Sequence, residues 1–166
     1  MDIVVTSSQS LRVGDRTLRC TVGRGGFVAE AEKREGDLKT PIGSYALWTG
    51  WYRPDRVTLQ HPMLHPMEKE QGWCDAPADA DYNQPVTLPH AASCETLWRD
   101  DAAYDILFPT SHNQSPVIPG HGSAIFFHLA QPDYRGTEGC VAIAKTDMLA
   151  ILPDITPDSR LVIQPE

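Results

Sequence analysis

Glycine and proline interrupt this chain so often that long helices are disfavoured. The 166 residues include 12 glycines and 14 prolines. Because proline breaks a helix interior and glycine weakens one, the apolar stretches between them are expected to be strands of a few residues. The sequence therefore predicts a mainly β protein with a few short helices. Its length suits a single domain over residues 1–166.

The predicted strands are short apolar runs bounded by turn residues. They lie at residues 3–5, 18–22, 44–51, 123–129, 141–143 and 160–163. Two short helices are predicted, one over 91–101 after Pro89 and one over 147–152 with Thr146 as its N-cap. The segment 52–90 carries many Pro, Asp and His residues without periodicity, so we expect a long functional loop there.

The charge balance argues against nucleic acid as a partner. There are 14 basic and 22 acidic residues, for a formal net charge of −8, and Lys and Arg are not clustered. A basic patch is what nucleic acids and anionic membrane surfaces attract. No apolar stretch approaches the ~18 residues of a membrane-spanning helix. We therefore expect no nucleic-acid partner and no membrane insertion.

The N-terminal sequence, taken as the natural start, predicts a cytoplasmic protein. It has an acidic residue, Asp2, and its first apolar run covers only residues 3–5. A secretory signal has a basic start and ~7–15 apolar residues. A form with its leader removed would look the same and would be periplasmic.

The cysteine and histidine spacings predict neither a metal nor a cofactor. The four cysteines are Cys20, Cys74, Cys94 and Cys140, with no C-x-x-C pair. Free thiols are expected in a cytosolic chain. His61 and His65 have helical spacing, but prolines beside them disfavour a helix. His90 and Cys94 share that spacing, and no third ligand has a diagnostic position.

Cys140 is the candidate nucleophile, in the segment TEGCV at residues 137–141. Gly139 directly before it permits a tight turn and lets backbone N–H groups approach a substrate oxygen. A Gly-Cys-Val sequence on its own is more often a buried structural cysteine at the start of a core strand.

His128 is the candidate base, twelve residues before Cys140 at the end of an apolar strand. A strand, a loop and a returning strand can bring both side chains to one sheet edge. A cysteine thiol needs a neighbouring imidazole to react as a thiolate at neutral pH. A single histidine at a strand end is more often structural, so the pair is more informative than either residue.

Two segments resemble the catalytic region of YkuD-type L,D-transpeptidases, and more specifically their small single-domain branch: GSAIFFH at 122–128 and TEGCVAI at 137–143. Further similar stretches are GDLKTPIG at 36–43, GWCD at 72–75, DYN at 81–83 and LWRD at 97–100. Together they span roughly residues 36–164. The combination of G-D-x-K-T-P-x-G with G-C-V is distinctive.

The resemblance implies a β-sandwich or barrel of mixed sheets with Cys140 as the acylated nucleophile. It implies that His128 is the general base, oriented by the backbone carbonyl of Leu129. It also implies oxyanion donors from the backbone N–H groups of Gly139 and Cys140. Thiol-reactive β-lactams of the carbapenem type are expected to form an adduct at Cys140.

The sequence departs from the family pattern at three points. Glu138 stands where the family has His before Gly-Cys, and no Arg follows the cysteine within residues 141–144. The segment between His128 and Cys140 is shorter than in members that cross-link cell wall. We therefore expect this chain to hold its substrate differently and to use a different acceptor.

Charged residues near the nucleophile are the main candidates for substrate binding. Arg135 and Arg99 can bind a terminal carboxylate, because the guanidinium fork is bidentate. Glu138 can bind the ammonium group of a diamino acid, although it can equally face solvent or pair with an arginine. The acidic segment 75–81 can contact a cationic ligand group. Other candidates for substrate contact, often core or loop anchors in proteins, are Thr137, Trp73, Tyr82 and Asn83.

The resemblance implies acyl transfer on peptidoglycan stem tetrapeptides, with release of the terminal D-Ala. Water as acceptor gives L,D-carboxypeptidation, whereas an amine gives a 3–3 cross-link. A cytoplasmic enzyme meets soluble fragments, so we predict a cysteine L,D-carboxypeptidase of muropeptide recycling. The near alternative is a periplasmic L,D-transpeptidase. Distant alternatives are a metal-dependent peptidase, which chelators would inhibit, and a non-catalytic muropeptide-binding domain that β-lactams would not label.

Overall fold

The computed structural model describes all 166 residues and is mainly β. The strands are β1 (Asp2–Ser7), β2 (Ser10–Val13), β3 (Arg16–Thr21), β4 (Phe27–Ala29), β5 (Thr40–Ala46), β6 (Gly50–Tyr52), β7 (Leu64–Pro66), β8 (Gln71–Cys74), β9 (Pro85–Thr87), β10 (Cys94–Thr96), β11 (Ile106–Pro109), β12 (Phe126–Leu129), β13 (Val141–Ile143) and β14 (Arg160–Ile163). The single α-helix, α1, spans Lys145–Ile151, and single-turn 3-10 helices lie at Glu30–Glu32 and Leu152–Asp154. None of these helices has both the length and the apolar character needed to cross a bilayer.

Eleven of the strands form one large mixed sheet, in the order β4-β5-β14-β1-β2-β3-β13-β12-β11-β6-β7. The pairs β4–β5, β14–β1, β13–β12 and β6–β7 are parallel, and the others are antiparallel. A sheet with this many twisted strands curls on itself, and here it surrounds a core of 24 buried residues. The predicted mainly β, sandwich-like class is confirmed.

A second sheet has three short antiparallel strands in the order β10-β8-β9. Its residue Trp73 packs edge-to-face against Phe126 of β12, with ring centroids 5.0 Å apart. Both rings belong to a second buried cluster that also contains Cys140. The small sheet is therefore attached next to the two strands that carry the candidate nucleophile and base.

Strands β12 and β13 are parallel neighbours inside the large sheet. Phe127 lies opposite Val141, and His128 lies opposite Ala142. Every residue of both strands is buried. Nearly continuous apolar sequence suits a strand that is covered on both faces, and this explains why both strands were predictable.

The helix predicted over 91–101 is wrong. The segment contains β10 instead, and its residues Cys94–Thr96 pair with Gly72–Cys74 of β8. A proline before a short segment is a weak helix signal, and pairing with a distant strand outweighs it. The segment 52–90, predicted as one long loop, likewise contains β7, β8 and β9.

Two other element boundaries differ from the prediction. Helix α1 begins at Lys145 with Ala144 as N-cap, and no side chain caps it, so Thr146 lies inside the first turn. The strand predicted over 44–51 is divided into β5 and β6, because β5 pairs with β14 whereas β6 pairs with β11. A single run of strand-like residues does not reveal that its two halves have different partners.

Candidate active site

The turn before Cys140 is held by the hydroxyl of Thr137. This hydroxyl donates to the Cys140 carbonyl at 2.7 Å and accepts from the Gly139 N–H at 3.1 Å. Gly139 has φ 137°, and an added Cβ there would lie 3.0 Å from the Lys39 carbonyl oxygen. Glycine is required at this position because a side chain would be strained and crowded.

Thr40, at the start of β5, fixes the same turn from the other side. Its buried hydroxyl donates to the Gly139 carbonyl at 2.8 Å and accepts from the Gly23 N–H at 2.8 Å. Thr40 belongs to the GDLKTPIG segment, which carried part of the family resemblance without an assigned role. The segment thus supplies a support for the nucleophile turn from a position 99 residues earlier in the chain.

The Cys140 thiol is buried between two backbone groups. It donates to the Ala124 carbonyl at 3.1 Å and accepts from the Phe126 N–H at 3.3 Å. Ala124 has φ 54°, a left-handed conformation that costs a non-glycine residue about 1–2 kcal/mol. The Asn83 side chain stabilises this conformation, because its carboxamide oxygen accepts a hydrogen bond from the Ala124 N–H at 3.1 Å.

Trp73, Tyr82 and Asn83, predicted to contact substrate, are not among the residues that line the cavity next to Cys140. All three are buried. The Trp73 indole donates to the Asn83 carboxamide at 3.0 Å, and the Tyr82 hydroxyl donates to Glu35 at 2.7 Å. They contact the segment that carries Ala124: Tyr82 and Asn83 accept hydrogen bonds from its backbone, and Trp73 packs against Phe126. Their polar groups already have partners inside the protein.

His128 lies on β12, beside the strand that follows Cys140, and both side chains line one cavity. Its Nδ1 lies 2.9 Å from the Leu129 carbonyl oxygen, so the predicted contact with that carbonyl is confirmed. A carbonyl oxygen only accepts, which places the ring proton on Nδ1 and leaves Nε2 free to accept a proton. The Tyr104 ring packs edge-on against the imidazole at 5.0 Å.

Burial keeps both reactive groups neutral near pH 7. Burial, assisted by the nearby Glu95, raises the pKa of Cys140 to about 12. Burial lowers the pKa of His128 to about 4, against the opposite effect of its hydrogen bond to Leu129. In both cases the low-dielectric surroundings disfavour the charged form. The resting pair is therefore a thiol and a neutral imidazole, not a preformed ion pair.

The two expected oxyanion donors differ in their partners within the protein. The Gly139 N–H donates to the Thr137 hydroxyl at 3.1 Å. The Cys140 N–H has no partner inside the protein. Gly139 thus acts through the shape of the turn, whereas the Cys140 N–H can bind a developing oxyanion.

The cavity next to Cys140 and His128 has a volume of about 330 Å³ and carries charges of both signs. Asp75 and Glu95, from the small sheet and its edge, lie on one wall. One Asp75 carboxylate oxygen is buried without a hydrogen-bond partner. Burial raises the pKa of Glu95 to about 7, while the Tyr104 hydroxyl that donates to it acts in the opposite direction.

Both predicted arginines line the cavity. Arg99 is half-buried and makes a bidentate pair with Asp101, through Nε at 2.8 Å and one terminal nitrogen at 2.7 Å. The other terminal nitrogen of Arg99 has no partner in the protein. Arg135 is largely exposed and bonds only Asp133 through its side chain. Arg99 is the more enclosed of the two candidate donors for a ligand carboxylate.

Glu138 lies at the rim of the cavity with its side chain 80% exposed. Its carboxylate is 3.6 Å from a terminal nitrogen of Arg24. The structure therefore places Glu138 in a solvent-facing ion pair. Four further carboxylates line the cavity, those of Glu35, Asp75, Glu95 and Asp101. Glu35 accepts from Tyr82 and Ser123, and Asp101 accepts from Arg99. Neither Asp75 nor Glu95 was a residue-level candidate from the sequence, although Asp75 begins the acidic segment singled out there.

The histidine pair His61 and His65 is not a metal centre in this fold. His61 is hydrogen-bonded to the Ile155 carbonyl at 3.1 Å and to the Met63 N–H at 3.2 Å. His65 lies on strand β7, so the helical spacing that would bring both rings together is absent.

A thiol, an imidazole of fixed tautomer and a free backbone N–H around one cavity fit a cysteine acyl-transfer site. The chain belongs to the YkuD family, since the model of the L,D-transpeptidase catalytic domain matches residues 3–163. This family comprises cysteine acyl-transferases and peptidases that act on peptidoglycan peptides. A comparison with curated proteins found no match. A comparison with solved structures found none either.

Proposed function

We propose that this protein is a cysteine L,D-carboxypeptidase that removes the terminal D-Ala from soluble peptidoglycan stem tetrapeptides. The observation that carries the proposal is the cavity next to Cys140, which offers an arginine donor and two enclosed carboxylates to one ligand. A stem tetrapeptide has a terminal carboxylate and, one residue earlier, a diamino acid with a free ammonium group. The charges of the cavity complement both.

Acylation begins with attack of the Cys140 sulfur on the carbonyl carbon at the L-centre of the diamino acid. The thiol hydrogen turns from the Ala124 carbonyl towards His128, and Nε2 takes the proton as the carbon–sulfur bond forms. The Cys140 N–H stabilises the oxyanion. Collapse breaks the carbon–nitrogen bond, His128 returns the proton to the amine, and D-Ala leaves a thioester behind.

Deacylation reverses these roles with water. His128 takes a proton from the water molecule as its oxygen attacks the thioester carbon, and the sulfur leaves as the carbon–sulfur bond breaks. The proton passes to Cys140, which restores the neutral thiol. The second product is a tripeptide with a new carboxylate.

Substrate orientation comes from the charged walls of the cavity. The free nitrogen of Arg99 binds the D-Ala carboxylate, while Arg135 is the alternative donor at the rim. The carboxylate of Asp75 accepts from the ammonium group, together with Glu95.

The proposed setting is the cytoplasm, where the substrates are soluble recycling fragments. The test is mass spectrometry of the products from a soluble muropeptide tetrapeptide. The proposal predicts D-Ala and tripeptide in equal amounts. A dimer with a 3–3 cross-link as the main product would overturn the carboxypeptidase proposal and support the transpeptidase instead.

A further inference from the structure

Four side chains with metal-binding atoms lie together at the small sheet, and none of them lines the catalytic cavity. Cys74 of β8 and Cys94 of β10 lie directly opposite each other in the antiparallel register. Both are free thiols. The imidazole of His90 joins them, so that one ligand atom from each of the three residues lies within 4.8 Å of the other two.

Asp79 completes the group. Its carboxylate oxygen lies 3.3 Å from Nε2 of His90. Asp79 therefore places a carboxylate next to the three-residue group, through its contact with His90.

We propose that Cys74, Cys94, His90 and Asp79 bind one Zn²⁺ ion in a closed tetrahedral site. Two thiolates with an imidazole and a carboxylate suit zinc and disfavour calcium and magnesium, which prefer oxygen ligands alone. Zinc–ligand bonds of about 2.0–2.3 Å place tetrahedral ligand atoms about 3.4–3.8 Å apart. The ligand atoms of the cysteines and the histidine, which lie within 4.8 Å of one another, thus need to close by at most about 1.0–1.4 Å.

The position of the site gives the ion a structural role. Its ligands come from two strands and from the connections between them, so one ion joins the whole small sheet. The strands β8, β9 and β10 have only three or four residues each. A sheet this small needs support beyond its backbone hydrogen bonds. All four protein positions are filled, which leaves none open for substrate.

The site also borders the catalytic cavity through its neighbours in sequence. Asp75 follows Cys74, and Glu95 follows Cys94. Side chains alternate along a strand, so Glu95 projects to the opposite face of β10 from Cys94. Both acidic residues line the cavity. Bound zinc would hold this wall in place without taking part in the reaction.

The test is metal content and Co²⁺ spectroscopy of the purified full chain. Zinc should bind at one equivalent per chain in the wild type, in Cys140→Ala, which removes the catalytic thiol, and in the matched control Cys20→Ala. Cys94→Ser should lower zinc affinity by more than about 100-fold, since even residues that only orient ligands contribute about 10- to 100-fold. His90→Ala should lower it similarly.

If the Cys94→Ser chain does not fold, Co²⁺ binding to the wild type tests the proposed zinc site instead. Bound Co²⁺ should give intense thiolate-to-metal charge-transfer bands and tetrahedral visible bands, and zinc should displace it. Zinc binding that survives in Cys94→Ser and disappears in Cys140→Ala would overturn the proposal. So would metal-free protein that fails to bind zinc because Cys74 and Cys94 form a disulfide.

Discussion

The Cys140 thiol and the His128 imidazole are buried side chains on the same cavity, and burial moves their pKa values in opposite directions. The thiol holds its proton more tightly than usual and the imidazole holds its proton less tightly. We therefore expect proton transfer to accompany attack on the substrate instead of preceding it. This makes correct placement of Nε2, through the Leu129 carbonyl, more important than electrostatic stabilisation of a thiolate.

The first prediction concerns pH. Because the pKa of His128 is lowered to about 4, acylation of Cys140 by an uncharged thioester substrate should stay constant above about pH 5 and fall as pH drops through 4. Alkylation by iodoacetamide needs the thiolate, so its rate should rise with pH towards the Cys140 pKa of about 12. Rapid-quench labelling measures both. An alkylation rate that is already constant at neutral pH would show a preformed thiolate–imidazolium pair.

The second prediction asks whether Asp75 or Glu138 binds the ammonium group of the substrate. Asp75→Asn should raise the Michaelis constant for tetrapeptide by about 10- to 100-fold, because a hydrogen bond to a charged group contributes about 1.5–3 kcal/mol. Glu138→Gln is the matched control and should change it less, since Glu138 faces solvent. Blocking the side-chain amine of the substrate should remove the difference between wild type and Asp75→Asn. A larger effect from Glu138→Gln would move ammonium binding to the rim.

Among the elements, β12, β13 and the start of β5 together position the nucleophile. The strands β12 and β13 carry His128 and the turn that ends at Cys140, and Thr40 joins that turn to the backbone of Gly23. The two strands were predictable because their sequences are continuously apolar. The contact of Thr40 was not, because no local pattern links a hydroxyl to a carbonyl 99 residues away.

The third prediction tests this support. Thr40→Val keeps the shape but leaves the Gly139 carbonyl and the Gly23 N–H without a partner, at about 1–3 kcal/mol for each buried group. Denaturant unfolding should show the loss of stability, and the acylation rate of Cys140 should fall at temperatures where the variant is folded. Thr40→Ser keeps the hydroxyl and should retain the acylation rate. Equal rates in both variants would show that the contact does not position the nucleophile.

The small sheet was not predictable from the sequence. Cys94–Thr96 pairs with a strand from inside a segment that has no periodicity, so local patterns indicated a helix and a loop. The same pairing brings Cys74 to His90 and Cys94, although the spacing of these residues along the chain has no diagnostic form. Side chains placed by a long-range pairing become visible only in the folded chain.

At the scale of the whole molecule, residues from both sheets line the catalytic cavity. The large sheet provides the nucleophile and the base, while the small sheet and its edge provide Asp75 and Glu95. The net charge of −8 does not describe this site, since Arg99 and Arg135 lie in the same cavity as the carboxylates. The family and the fold class were predictable from motifs and turn-rich composition, whereas the charge pattern of the cavity required the structure.

The central claim is a thioester between Cys140 and the substrate, and it can be trapped. Wild-type enzyme mixed with excess tetrapeptide and quenched in acid should show, by mass spectrometry, one tripeptidyl group on the peptide that contains Cys140. Cys20→Ala should give the same adduct, and Cys140→Ala should give neither adduct nor D-Ala. Continued release of D-Ala by Cys140→Ala, or a tripeptidyl group on another residue, would contradict the account.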